Sequence, residues 1–169
     1  FCNKLWNAAH YTLLNTKDLK KIDRDDIDYT SVDYWIKSEL NNTTKKIHTY
    51  FKKYRFDLDA QCLHEFIWHE FCDWYLELSK AILQDKDFDE KQKLGTKLTL
   101  IETLENILRL LHPIMPFITE EIWLNIKQKL ILPEETIMLR PYPTYDTSLV
   151  NAKAEEEIKW VKEFILGIR

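Results

Sequence analysis

The chain has 169 residues, of which 45% are hydrophobic and 31% are charged, and its formal net charge is −4. Its two glycines, Gly95 and Gly167, are too few and too far apart for the glycine-rich loops that bind nucleotide phosphates. No apolar run approaches the roughly 20 residues that cross a bilayer, so we expect no membrane contact. The three cysteines form no C-x-x-C pair, which argues against a disulfide framework and leads us to expect a cytoplasmic protein.

Apolar residues recur at spacings of three and four along most of the chain, which predicts an all-α fold of about six helices packed as one bundle. The first helix is predicted to run from the start of the chain to about Asn15. The second begins at Thr30 or Ser31, either of which can cap it, and continues to about Tyr54. Both ends of the chain lie within predicted helices, so we expect a piece of a longer polypeptide.

Further helices are predicted in the remaining two thirds of the chain. Asp57 is expected to cap the third helix, the most aromatic segment, which ends near Leu83. The later boundaries are a charged break over residues 84–93, a fourth helix that ends at Pro113, a fifth that starts at Pro116 and a last one that starts at Val150. Because the apolar stripes can pair within the chain and no long heptad pattern occurs, we expect a monomer.

No arrangement of residues suited to catalysis is visible in the sequence. His64 and His69 are five residues apart on a predicted helix, so they diverge by roughly 140° and cannot share one metal ion as the i and i+4 pair of a zincin does. The G-x-S-x-G pentapeptide of serine hydrolases is also absent. We therefore predict no catalytic, cofactor-binding or metal-binding residues, and a stand-alone hydrolase is disfavoured.

The second half of the second predicted helix is a basic patch on an acidic protein. No acidic residue occurs between Glu39 and Asp57, whereas cationic and aromatic residues alternate near the end of this helix. Such a combination suits RNA, since cations bind phosphates and aromatic rings stack on bases, although a solvated helix face is the alternative. The candidate RNA-binding residues in this stretch are Lys45, Lys52, Lys53 and Arg55.

Three stretches of the sequence carry a resemblance to a known family. They are FCNKLWNA at residues 1–8, FIWHEFCDWYLEL at residues 66–78 and LRLLHPIMPFITEEIW at residues 108–123. In this order and at these separations they resemble the anticodon-binding helical domain of the valyl-tRNA synthetases, which are class I aminoacyl-tRNA synthetases. The middle stretch is the most specific, because the isoleucyl and leucyl enzymes look different there.

The resemblance implies a helical bundle that binds the anticodon stem-loop of tRNA-Val, within an enzyme that attaches valine to this tRNA with the help of ATP and magnesium. The family's catalytic signatures HIGH and KMSKS are missing from this sequence, so the chain alone is expected to be inactive. The resemblance also implies a bundle over residues 1–149 and a helix over residues 150–169 that leads toward a C-terminal arm.

In this family the anticodon loop is bound near the opening helix. The resemblance therefore implies Asn3, Lys4 and Asn7 as RNA-binding residues, with His10 further along the helix, although Asn7 could equally be a buried structural residue. Two other interpretations stay open. One is a helical scaffold for a protein partner, which the negative net charge favours, and the other is the equivalent domain of an isoleucyl- or leucyl-tRNA synthetase.

Overall fold

The computed structural model describes residues 1–19 and 27–168, and every long element in these ranges is a helix. The helices are α1 (Cys2–Asn15), α2 (Ser31–Lys52), α3 (Phe56–Glu65), α4 (Leu76–Gln84), α5 (Glu90–Leu111), α6 (Pro116–Leu130) and α7 (Ala152–Ile168). A π-helical segment, Phe66–Tyr75, joins α3 to α4 without a break, so residues 56–84 form one long helix. Six long helical stretches in the described residues confirm the predicted all-α fold.

Two helices begin at capping boxes, in which the N-cap residue and the third helical residue each accept a hydrogen bond from the other's backbone N–H through their side chains. Thr30 caps α2, and the backbone N–H of Thr30 donates to Asp33 Oδ2 at 3.0 Å. Asp89 caps α5 by accepting from the backbone N–H of Gln92 at 2.7 Å. The first box confirms the predicted start of α2. The second lies inside the predicted break over residues 84–93, so that prediction is wrong in its second half.

The connection between α2 and α3 also differs from the prediction. α2 ends at Lys52 rather than Tyr54, and Tyr54 adopts a left-handed backbone conformation with φ of 54°. Asp57 does not cap α3, because Arg55 occupies the N-cap position without a side-chain cap. Asp57 instead lies in the first helical turn, where a negative charge suits the helix dipole. At α6 the prediction is confirmed, since Pro116 is the first helical residue.

A buried carboxylate ties three helical elements together in the bundle core. Asp33 is fully buried, Tyr75 Oη donates to its Oδ1 at 2.9 Å, and Thr96 Oγ1 donates to its Oδ2 at 2.9 Å. Thr30 supplies two further donors from its backbone and its hydroxyl. Burial raises the pKa of the Asp33 carboxyl, and these hydrogen bonds oppose the rise. Asp33 thus links α2, the π-helical segment and α5.

α7 packs on α2 through its first half. Ala154 and Ile158 are buried, and Glu155 Oε1 accepts a hydrogen bond from Ser38 Oγ on α2 at 2.5 Å. The second half of α7 exposes several large apolar side chains. The division of the chain at residue 150 stays a prediction. Within residues 1–19 and 27–168, the helices lack the combination of length and apolar character needed to span a membrane.

Gly95 lies inside α5, where alanine is normally better by about 1 kcal/mol. A Cβ atom here would lie 2.1 Å from the carbonyl oxygen of Asp28, which is a backbone atom. We therefore expect Gly95→Ala to lower the free energy of unfolding, measured in urea, by about 1–3 kcal/mol. The control is Gly167→Ala in α7, where nothing lies within 4 Å and stability should be kept or raised. Equal effects at both glycines would contradict this close approach.

Candidate nucleic-acid interface

α1 presents a polar face to solvent. Asn3, Asn7 and His10 are all exposed, and their spacings of four and three place them on one side of the helix. The buried residues of α1 lie on its other side and are Leu5, Ala8, Ala9 and Thr12. Neither asparagine side chain has a hydrogen-bond partner among the described residues, so both amides are available to a ligand. The alternative of a buried, structural Asn7 is therefore wrong.

Lys4 is held by two side chains of the π-helical segment. Its ammonium nitrogen lies 2.5 Å from Asp73 Oδ1 and 3.9 Å from the centroid of the Trp68 ring. Desolvation tends to raise the pKa of Asp73, but the bonds to Lys4 and His69 outweigh it and lower that pKa. The Lys4 charge is thus partly balanced by the protein itself. The sequence contains no local pattern that predicts this ion pair, because its two residues are 69 positions apart.

A pocket of about 170 Å³ lies between α1 and α6. Its lining residues are Trp6, Ala9, His10, Leu13, Ile122 and Asn125. The Trp6 side chain is 48% exposed at this pocket. His10 therefore borders a recess with an aromatic wall, next to the polar face of α1.

The connection between α2 and α3 carries the second group of predicted residues. We name residues 52–56 the basic turn. Lys45, Lys52 and Lys53 are exposed, and the last two form no ion pair with any residue that the structure describes. Lys45 lies further back on α2, with its ammonium 4.7 Å from the centroid of the Tyr145 ring. Lys52 and Lys53 are thus unbalanced positive charges at the surface.

Arg55 differs from the neighbouring lysines because it has a carboxylate partner. Its Nε and Nη2 donate to the two oxygens of Asp57 at 2.9 Å and 2.6 Å. This bidentate pair lowers the pKa of Asp57 to about 2, so the carboxylate is charged at neutral pH and balances the guanidinium. A phosphate can therefore contact Arg55 only if the guanidinium binds the phosphate and Asp57 together, or if it releases Asp57.

One long helix connects the basic turn to the start of α1. The basic turn lies where this helix begins, and α1 meets the helix two turns later, where the ring centroids of Phe1 and His64 are 5.4 Å apart. At 1.5 Å per residue, Phe56 and His64 are about 12 Å apart along the axis. The start of α1 and the basic turn are thus separated by a distance along this helix that one folded RNA can span.

The chain matches a family model and several curated proteins. The family model described as the anticodon-binding domain of tRNA ligase matches residues 33–169. The chain is also similar, over its whole length, to curated valine–tRNA ligases from Legionella pneumophila (strain Lens; 53% identity), Blochmanniella pennsylvanica (45%) and Coxiella burnetii (44%). It spans 18% of the length of each of these relatives. Because the family match covers most of the chain, the chain belongs to the family of anticodon-binding domains of tRNA ligases.

Proposed function

We propose that this chain is the anticodon-binding domain of a valine–tRNA ligase and that it binds the anticodon stem-loop of tRNA-Val. The observation that carries the proposal is the alignment of relatives named valine–tRNA ligase with all of this chain, including α1, which lies outside the family match. The exposed polar face of α1 and the nearby basic turn support it, because RNA recognition needs both base-edge and phosphate contacts.

The net charge of −4 does not oppose RNA binding at this surface. Exposed charges are largely screened beyond a Debye length of about 8 Å at physiological salt, so a phosphate senses Lys52 and Lys53 more than distant carboxylates. Each phosphate contact also releases counterions, which makes binding depend on salt. We expect modest affinity for the stem-loop that falls steeply between low and moderate salt.

The two surfaces are proposed to have different tasks. Side chains on α1 that both donate and accept hydrogen bonds suit the edges of unstacked bases, and these are Asn3, Asn7 and His10. Cationic side chains suit phosphates, which position an RNA without reading its sequence. The proposed phosphate contacts are Lys4, Lys45, Lys52, Lys53 and Arg55.

The proposed parent enzyme is a monomeric, cytoplasmic ligase whose ATP and magnesium are bound outside this chain. No residue of the chain is assigned to catalysis or to a cofactor, so the purified chain should not activate valine. The C-terminal segment that contains α7 is proposed to lead out of the bundle toward a C-terminal arm. Its exposed second half suits such a continuation.

Anticodon preference tests the proposed function. In fluorescence anisotropy, the chain should bind a stem-loop with a valine anticodon about tenfold more tightly than the same stem-loop with an isoleucine anticodon. Asn3→Ala and Asn7→Ala should each reduce this ratio while urea unfolding stays unchanged, since both side chains are exposed. Equal affinity for the two stem-loops would overturn the valine assignment. A loss of stability with an unchanged ratio would contradict the assignment of base contacts to Asn3 and Asn7.

A further inference from the structure

Tyr54 has a backbone conformation that bulky residues rarely adopt. Its φ of 54° places it in the left-handed region, which glycine adopts without strain and tyrosine adopts only with strain. The turn is closed by backbone bonds from Tyr54 N to Phe51 O and from Arg55 N to Tyr50 O, both 3.0 Å long. The side chain that is held at this position is 81% exposed, so core packing does not explain it.

The Tyr54 ring is the outer end of a row of aromatic rings that starts at a partly buried side chain. Tyr142 meets Phe51 edge-on with centroids 6.0 Å apart, and Phe51 meets Phe56 edge-on at 5.5 Å. Phe56 in turn meets Tyr54 at 6.3 Å, with the two ring planes 84° apart. Phe56 is 54% exposed. The last two rings therefore form an exposed corner that the inner rings hold in place.

Positive charge flanks this aromatic corner in the chain. Lys52 and Lys53 precede Tyr54, are exposed, and have no ion-pair partner among the described residues. Asp57 is the nearest carboxylate in the sequence, and Arg55 balances it. Exposed aromatic faces with unbalanced cations beside them are the combination that binds single-stranded nucleic acid.

We propose that Tyr54 and Phe56 form a stacking platform for one unpaired base of the bound RNA, while Lys52 and Lys53 bind the adjoining phosphates. This inference rests on the proposed function only for the identity of the RNA, because stacking on an aromatic face tolerates any base. It adds a contact that is distinct from the base-edge hydrogen bonds assigned to α1.

The test replaces Tyr54 by glycine, which removes the ring and fits the left-handed backbone. Ile131→Gly is the matched control, since Ile131 also has φ of 54° and is 70% exposed but lies at the end of α6. Anisotropy is measured with three RNAs: the anticodon stem-loop, a single-stranded 12-mer of uridine and a blunt-ended duplex. Urea unfolding accompanies each variant.

Tyr54→Gly is expected to weaken binding of the stem-loop and of the 12-mer about tenfold and to leave duplex binding unchanged. Ile131→Gly should leave all three affinities unchanged, and neither variant should unfold at lower urea. The platform is overturned if Tyr54→Gly behaves like Ile131→Gly, if it weakens duplex binding equally, or if the wild-type chain does not bind the 12-mer at low salt. A missing anticodon preference would overturn the proposed function alone.

Discussion

Asp33→Ala is expected to lower the free energy of unfolding by about 3–5 kcal/mol. The substitution removes an acceptor that is fully buried and bonded to Tyr75, Thr96 and Thr30. The hydroxyls of Tyr75 and Thr96 would then be buried without this partner, and α2 would lose half of its capping box. Urea denaturation followed by circular dichroism measures the loss.

Two further variants separate this network from a general effect of losing a carboxylate. Asp33→Asn keeps the side-chain volume and one acceptor oxygen, so its loss of stability should be clearly smaller. Glu77→Ala removes an exposed carboxylate that pairs with Lys80 at 2.6 Å, and such surface pairs contribute only about 0–1 kcal/mol. If Asp33→Ala is no more destabilising than Glu77→Ala, the carboxylate does not hold the three elements together.

The double variant Lys52→Glu with Lys53→Glu reverses the two unbalanced charges of the basic turn. It should weaken binding of every RNA about tenfold or more at low salt. These lysines bind phosphates in our account, so the loss should not depend on the anticodon. The slope of log affinity against log salt should fall by about 1.4, which corresponds to two lost single-strand phosphate contacts. Arg55 is left in place because Asp57 balances its charge.

The matched control applies the same change in net charge away from the proposed interface, as Lys17→Glu together with Lys86→Glu. Lys17 follows the far end of α1, and Lys86 follows α4, whose end is about 40 Å along the axis from Phe56. This control should leave affinity and salt slope nearly unchanged. Equal losses in the two double variants would mean that net charge alone governs binding, and no loss in either would make the basic turn a solvated surface.

Much of the fold follows from local sequence signals. The capping residue Thr30 and the first-turn Pro116 are each recognised within a few residues, and both start a helix where expected. The predicted charged break places the start of α5 too late, although Asp89 and Gln92 have the spacing of a capping box. The π-helical widening over Phe66–Tyr75 has no such signal, since its apolar stripe also fits an α-helix.

The candidate site was predictable only in part. The family resemblance predicts Asn3 and Asn7 as RNA contacts, and the structure shows both side chains exposed on one face of α1. The ion pair between Lys4 and Asp73 forms because two helical segments pack together, and this packing could not be predicted from the sequence. The left-handed backbone of Tyr54 could not be predicted from the sequence, because glycine or asparagine is the usual residue in that conformation at the end of a helix.

The central claim is that one RNA stem-loop contacts α1 and the basic turn together. The most direct measurement is a titration of the isotope-labelled chain with the valine anticodon stem-loop, followed by the backbone amide resonances in NMR spectra. Our account predicts shifts that cluster at Asn3, Asn7 and His10 and at residues 52–56, and that saturate together at one RNA concentration. Shifts confined to α7, or two groups that saturate at different concentrations, would contradict it.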